Sequence, residues 1–359
     1  MPGPRLAEAA VVDPRKPSRA VRRRIPQMTS RAFPILDRVC SVAMVAALAV
    51  LAPALSLTGP QQGVTPGPLP SAPTGPSEPV MAAAGDVACD PANPSFNHGK
   101  GKGDECRALS TKRLLDHIDP DAVLALGDLQ YSNGTYGKYV RSYAKSWGRL
   151  RPITHPVPGN HEYLSSDVAG GYFRYFHGLA GTKGAGYYSY DLGSWHLIAL
   201  NSECFAVACA RGSEQYEWLK DDLAASTAVC TLAYWHEPRF SSGPHGGTVA
   251  VLPFWRLLYR AGADVVLSAH DHIYERFRRQ DPTGARDQAF GITEFVVGTG
   301  GAMHYAIEDV QPNSARRRGN AFGVLRLRLR SDSFRWRFVA TPSSSFSDSG
   351  STACHGEPA

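Results

Sequence analysis

From Val80 onward, short dense apolar runs alternate with stretches in which apolar side chains return every three or four positions. Runs of four to eight apolar residues bounded by turn formers predict buried strands, and helical spacing over longer windows predicts helices with one apolar face. Strands are expected at Val80–Ala84, Ala122–Leu126, Ile153–Val157, Tyr187–Leu192, Trp195–Asn201, Cys230–Trp235, Asp264–Ser268, Thr293–Val297, Phe322–Leu329 and Phe334–Val339. Helices fit between them at Arg107–Ile118, at Tyr136–Leu150 with Tyr136, Val140, Tyr143 and Trp147 on one face, at Ser213–Ala225 with Ser213 as N-cap, and at Val251–Arg260. Early strand–helix alternation followed by a strand-rich second half predicts an α/β domain of two packed mixed sheets flanked by helices. No internal repeat is visible.

Ahead of this domain the pattern changes twice. Residues 1–58 hold an arginine-rich stretch and then an apolar run from Val39 to Leu57, interrupted by Pro53, which together have the form of a secretory signal with Ala52-Pro53-Ala54 as candidate cleavage site. An uncleaved membrane anchor is the rival reading, because the run is nearly long enough to span a bilayer. Met28 opens a better-proportioned signal than Met1 does. Residues 59–79, rich in Pro, Gly, Ser and Thr, read as an extended tether, and residues 80–359 as one catalytic domain.

Charge follows the same division. The chain carries 38 Lys and Arg against 32 Asp and Glu; nine and three of these lie up to Gly59, so the remainder balances at 29 each. The overall positive charge therefore gives no indication of nucleic-acid binding by the domain. Two basic concentrations stand out, Arg316-Arg317-Arg318 and Leu325-Arg326-Leu327-Arg328-Leu329-Arg330. In the second, alternation puts leucines on one face and arginines on the other, which reads as a solvated outer sheet face rather than a polyanion patch. Of seven cysteines, Cys40 falls in the leader and six remain, an even number that suggests disulfides in an exported chain. Fifteen pairings are open; Cys89–Cys106, Cys204–Cys209 and Cys230–Cys354 would staple an insertion, a short loop and the C-terminal tail. A secreted or extracytoplasmic location follows, with attachment to the membrane or cell wall if the leader is retained.

The chemistry lies where the apolar runs end. Ala84-Gly85-Asp86, Gly127-Asp128-Leu129-Gln130-Tyr131, Gly159-Asn160-His161-Glu162, Trp235-His236-Glu237 and Ala269-His270-Asp271-His272 each place an oxygen or nitrogen donor just beyond a predicted buried strand, the edge at which open α/β sheets build their sites. Two cations about 3.5 Å apart need a bridging carboxylate, for which Asp128 is the candidate. Asp86, Asn160, His236, His270 and His272 supply the remaining carboxylate, amide and imidazole donors suited to zinc, iron or manganese.

In order and content these blocks resemble the calcineurin-like metallophosphoesterases, and among them the purple acid phosphatases. Gly-Asp-x-x-Tyr is matched by Asp128 and Tyr131, and the His-x-His segment by His270-Asp271-His272-Ile273-Tyr274-Glu275-Arg276. The resemblance implies a four-layer αββα sandwich. It assigns Asp86, Asp128, Tyr131 and His272 to one metal and Asp128, Asn160, His236 and His270 to a second. It also gives His161 and His245 to the phosphate and its leaving group, and makes the substrates small phosphate esters. Ala88 stands where many relatives carry a ligating histidine, and Tyr131 takes over that role; a phenolate favours a trivalent ion, which implies Fe(III) beside a divalent Zn, Mn or Fe. Ala269 replaces a usual glycine without removing a donor. His155, His177, His196 and His304 lack a partner pattern and default to structural roles, and Gly298-Thr299-Gly300-Gly301 is a candidate for lining the cleft.

The implied reaction is hydrolysis of phosphate monoesters. A water acidified by the cations attacks phosphorus in line while His161 or His245, as imidazolium, assists the departing alkoxide. A phosphodiesterase or nucleotide pyrophosphatase on the same metals is the first alternative, since the motifs do not define the leaving-group pocket. A catalytically silent cell-surface binding protein is the second, and the intact donor set argues against it.

Overall fold

The computed structural model describes residues 78–165, 168–356 and 358. The described residues all belong to one compact unit. The expected leader and nearly all of the expected tether lie outside the described residues.

Thirteen strands form among the described residues: β1 (Val80–Ala84), β2 (Ala122–Leu126), β3 (Thr154–Val157), β4 (Tyr188–Leu192), β5 (Trp195–Ala199), β6 (Cys230–Tyr234), β7 (Val265–Ser268), β8 (Tyr274–Phe277), β9 (Thr293–Val297), β10 (Ser314–Arg318), β11 (Gly323–Leu329), β12 (Ser333–Ala340) and β13 (Ser347–Ala353). They make two mixed sheets, ordered β13-β12-β11-β1-β2-β3 and β10-β8-β9-β7-β6-β5-β4. β1, β2 and β3 are mutually parallel, as are β5, β6, β7 and β9, and the remaining pairings are antiparallel. The helices are α1 (Ala108–Ile118), α2 (Tyr136–Arg141), α3 (Asn160–Tyr163), α4 (Gly170–Phe176), α5 (Glu214–Ala225) and α6 (Leu252–Arg260). None among the described residues is long and apolar enough to cross a membrane.

Strand alternation builds the layers. Along β5 and β6, Trp195, Leu197, Ala199, Cys230, Leu232 and Tyr234 face the large core that also holds Met81, Val123, Leu325 and Phe338 of the other sheet. The intervening Ile198 and Ala233 face a second core with Leu219 of α5 and Phe254, Trp255 and Leu258 of α6. A sheet buried on both faces explains why its parallel strands read as near-continuous apolar runs.

Three strands carried no apolar signal. β13 (Ser-Asp-Ser-Gly-Ser-Thr-Ala) is an edge strand held by its ladder to β12 and by buried Asp348, which accepts from Tyr274 Oη at 2.7 Å and from Arg276 at 2.7 and 3.1 Å. β10 is the arginine-bearing edge of the other sheet, and β8 begins only two residues after His272. The expected helix Tyr136–Leu150 stops at Arg141 and continues as two 3-10 segments. Ser142 Oγ donates to Cys89 O, in the loop after β1, at 2.7 Å, and Gln130 Oε1, in the loop after β2, accepts at 3.1 Å the Tyr143 N–H that a continuous helix would pair internally. The buried face is then Tyr139, Tyr143 and Trp147, and Val140 is exposed. Ser213 caps α5, accepting from Tyr216 N, and the three disulfides are Cys89–Cys106, Cys204–Cys209 and Cys230–Cys354, the pairing the spacing suggested.

Candidate metal centre

The donors project from one edge because of where the parallel strands stop. Asp86, Asp128, His236 and His270 each lie two residues beyond the end of β1, β2, β6 and β7, and Asn160 opens α3 three residues beyond β3. The two sheets are joined at this edge by Gly85 N donating to Val297 O at 3.0 Å. Asp86, Asp128 and His270 adopt left-handed backbone with φ of 58°, 49° and 67°. Such a conformation costs a non-glycine residue on the order of 1–3 kcal/mol and clusters at functional sites. Gly127 is obligatory for a steric reason: at φ 81° a Cβ there would lie 2.6 Å from His236 Nδ1.

Two half-sites share Asp128. In the first, Tyr131 Oη lies 2.6 Å from Asp86 Oδ1, 3.0 Å from Asp128 Oδ2 and 2.9 Å from His272 Nε2, while His272 Nε2 is 3.2 Å from Asp86 Oδ1. In the second, His236 donates Nδ1–H to Leu126 O at 2.8 Å, which turns the Nε2 lone pair inward. That nitrogen faces Asn160 Oδ1 at 3.2 Å, His270 Nδ1 at 3.2 Å and Asp128 Oδ2 at 3.4 Å. With the His270 proton on Nε2, lone pairs converge here, an arrangement that suits a cation. Asp128, His236 and His270 offer atoms within 4.8 Å of one another. All nine residues singled out in the sequence lie in or beside this cluster.

The charges are strongly coupled. Burial opposes ionisation of Asp128 and Asp86, yet the imidazoles of His236 and His272 respectively hold these carboxyls below the usual range. His236 is pushed well up by Asp128 despite its burial, and His270 is lowered to about 4 by burial and then by the charge on His236. Burial, Asp128 and Asp86 together push the Tyr131 phenol well up. An ionised phenolate there therefore requires a cation between the three oxygens.

His161 and His245 lie beside the cluster. His161 Nδ1 is 2.6 Å from Ser132 O, with Nε2 3.8 Å from Asp128 Oδ2. His245 Nδ1 is 2.9 Å from Asp271 Oδ1, and its ring lies 4.4 Å from that of His270. Each ring fixes Nδ1 on an oxygen and leaves Nε2 to project elsewhere.

Supporting residues went unassigned in the sequence. Fully buried Glu162 accepts from the backbone N–H groups of Asp128, Leu129, Gln130 and Gly159 at 2.9–3.3 Å and from Tyr139 Oη at 2.8 Å, locking the Asp128 loop. Its carboxyl is raised to about 7, by burial first and the charge of Asp128 second. Asp271, also buried, accepts from Ser241 Oγ and from His245 N at 3.1 Å. Tyr305 lies flat on His272, ring centroids 4.0 Å apart. Glu162 and Asp271 stood inside the quoted blocks, but nothing local distinguishes an anchoring carboxylate from a solvated one. The glycine stretch does line the cleft: a Cβ on Gly298 would lie 2.8 Å from Asp86 Oδ2. His155 stacks on Tyr190 and His196 bridges Asp191 and Asp222, while His304, beside Tyr305 and near His272, packs at a tilt against Phe322.

A family model described as calcineurin-like phosphoesterase matches residues 85–274. Purple acid phosphatase 15 of Arabidopsis thaliana is 30% identical over 228 residues, covering 52% of this chain and 41% of that protein. Purple acid phosphatase 18 of the same plant is 30% identical over 213 residues, covering 53% and 46%. The chain thus spans about half the length of the curated relatives it matches. In fold it is similar to the purple acid phosphatase PPD1 from yellow lupin seeds, at a TM-score of 0.66 and 18% identity, over 79% of this chain and 55% of that one.

Proposed function

Because the chain belongs to the calcineurin-like phosphoesterase family, we propose that it is an exported two-metal phosphatase of purple acid phosphatase type that hydrolyses phosphate monoesters. The observation that carries this reading is the convergence of Asn160 Oδ1, Asp128 Oδ2, His236 Nε2 and His270 Nδ1 with Leu126 O fixing the tautomer of His236. Asp86, Asp128, Tyr131 and His272 would hold one ion, Fe(III) where the phenolate binds, and Asp128, Asn160, His236 and His270 a divalent one. Such ions supply Lewis acidity toward the phosphoryl oxygens and acidify a water.

The chain's own residues do the rest. His161 and His245 would attract the phosphate oxygens, and one of them, as imidazolium, would give its Nε2 proton to the departing alkoxide as the bond from phosphorus to the ester oxygen breaks. Ser132 O and Asp271 hold the two rings for that task. Glu162 keeps the Asp128 loop in place without touching the reacting atoms. The disulfides and the apolar leader support an extracytoplasmic location.

Metal analysis of the purified protein together with a panel of mono- and diesters tests the reading. Two ions per chain and preferential monoester turnover are expected. Faster turnover of diesters would move the assignment to a phosphodiesterase, and a fully loaded protein inactive on every ester would make it a binding protein.

A further inference from the structure

Arg316, Arg317 and Arg318 are not used by the hydrolytic reading. They lie on β10, an edge strand that pairs only with β8. Between this strand and the loop after Tyr305 lies an open cavity of about 730 Å³, lined by the three arginines, Tyr305, Ile307 and Val310. Tyr305 belongs to both places. Its ring lies parallel to His272 within 8° and 5.4 Å from the ring of His245, so one side chain separates the cavity from the donor cluster.

The local carboxylates are already engaged. Glu275, which faces Arg317 across the ladder, is buried and accepts from Ser242 N, Ser242 Oγ and Ser314 Oγ. Asp348 accepts from Tyr274 and Arg276, and Arg316, 3.9 Å from Asp348, donates to Ser347 O at 3.0 Å and lies over the Phe346 ring, so the uncommitted charge is that of Arg317 and Arg318. Arg317 donates to Ser314 Oγ at 3.2 Å, and among the described residues the Arg318 side chain has no hydrogen bond or ion pair, only a contact with the Phe346 ring at 5.9 Å. Glu308 and Asp309, on the opposite loop, do not line the cavity. Cationic groups are therefore in surplus beside the site. Charged residues on an edge strand also discourage pairing with other chains, but that role would be indifferent to the substrate.

We infer that this cavity is a second anion subsite of the same active site, and that the preferred esters carry a further phosphate on the leaving group. The inference rests on the phosphatase reading above. Planar guanidinium groups recognise phosphate through paired N–H donors, which favours phosphate over a single carboxylate as the second anion.

The test uses the full chain and two matched esters, fructose 6-phosphate and fructose 1,6-bisphosphate. Arg317→Ala/Arg318→Ala is expected to lower kcat/KM for the bisphosphate about tenfold, chiefly through KM, and to change the monophosphate less than about twofold. The bisphosphate advantage of the wild type should shrink as salt is raised. Equal losses on both esters, or no loss on either, overturn the subsite. Equilibrium binding of the non-hydrolysable hexane-1,6-bisphosphonate gives a readout without turnover: weaker binding to the double variant, with hexylphosphonate unchanged, supports the subsite, and unchanged bisphosphonate binding sinks it. A wild type that hydrolyses neither these esters nor any other in the panel defeats the phosphatase reading, and the bisphosphonate comparison still decides the cavity.

Discussion

The two halves of the metal centre solve the same electrostatic problem in different ways. Around Asp86, a phenolic proton is available: Tyr131 Oη donates to the carboxylates at 2.6 and 3.0 Å, and Tyr305 covers His272 from one side. Around His236, two imidazole nitrogens, an amide oxygen and a carboxylate oxygen face one another, and a proton on His236 Nε2 or His270 Nδ1 is needed to relieve them. Without an ion, one half closes through the phenol and the other through an imidazole proton. Ion uptake should differ accordingly. The Tyr131 half must release a proton that burial and two carboxylates hold tightly, and the His236 half must release one held chiefly by Asp128.

The largest effect is expected where the halves meet. Asp128→Asn should lose at least one ion and nearly all hydrolysis while the disulfide-linked domain stays folded, as judged by metal content and circular dichroism. Full metal content with near-normal turnover would refute the shared carboxylate. His236→Ala comes next: it should empty only its own half, leaving about one ion per chain by elemental analysis and any colour due to Tyr131 intact.

Much of this comparison was legible in the sequence, for a physical reason. A donor that follows a buried parallel strand is announced by the apolar run before it, so Asp86, Asp128, Asn160, His236 and His270 could be found from local pattern alone. Tyr131 and His245 depended on resemblance, because a tyrosine in a loop and a histidine in Ser241-Ser242-Gly243-Pro244-His245 look ordinary. Glu162, Asp271 and Tyr305 were not assigned, since their roles come from burial and from partners on other loops. The same limit hid β10 and β13, which are recruited by ladder bonds rather than apolar burial, and the break at Ser142, which is made by Cys89 and Gln130.

Glu162 offers a smaller test that links the centre to stability. Its folded value of about 7 exceeds the ordinary 4.5, so its contribution to stability is full below about 4.5 and is lost as pH rises through about 7. Part of that shift comes from the charge of Asp128, which bound cations would offset. The metal-free protein should therefore lose thermal stability between about pH 5 and 7, and the loaded protein should lose less over the same range. Glu162→Gln should flatten the metal-free profile and destabilise the fold by about 1–3 kcal/mol, because an amide cannot accept from all four backbone N–H groups. Identical pH profiles for metal-free, loaded and Gln forms would separate Glu162 from the centre.

The mildest effect on hydrolysis is expected from Tyr131→Phe, which tests the half that closes through the phenol. Ala88 has no donor, so Tyr131 supplies the oxygen that would distinguish a trivalent from a divalent ion in this half. A phenolate on Fe(III) should give the isolated protein a broad visible charge-transfer band, and removing the oxygen should abolish it. The phenylalanine ring can keep the packing against His161, 4.4 Å from the tyrosine centroid, so the fold should be unaffected. Asp86, Asp128 and His272 remain to hold a divalent ion, so turnover should fall less than in Asp128→Asn. Loaded protein shown to contain iron but lacking colour, or a Phe variant with an unchanged band, would reduce Tyr131 to a hydrogen-bond donor between two carboxylates. The two halves would then differ in their protons but not in the ion they select.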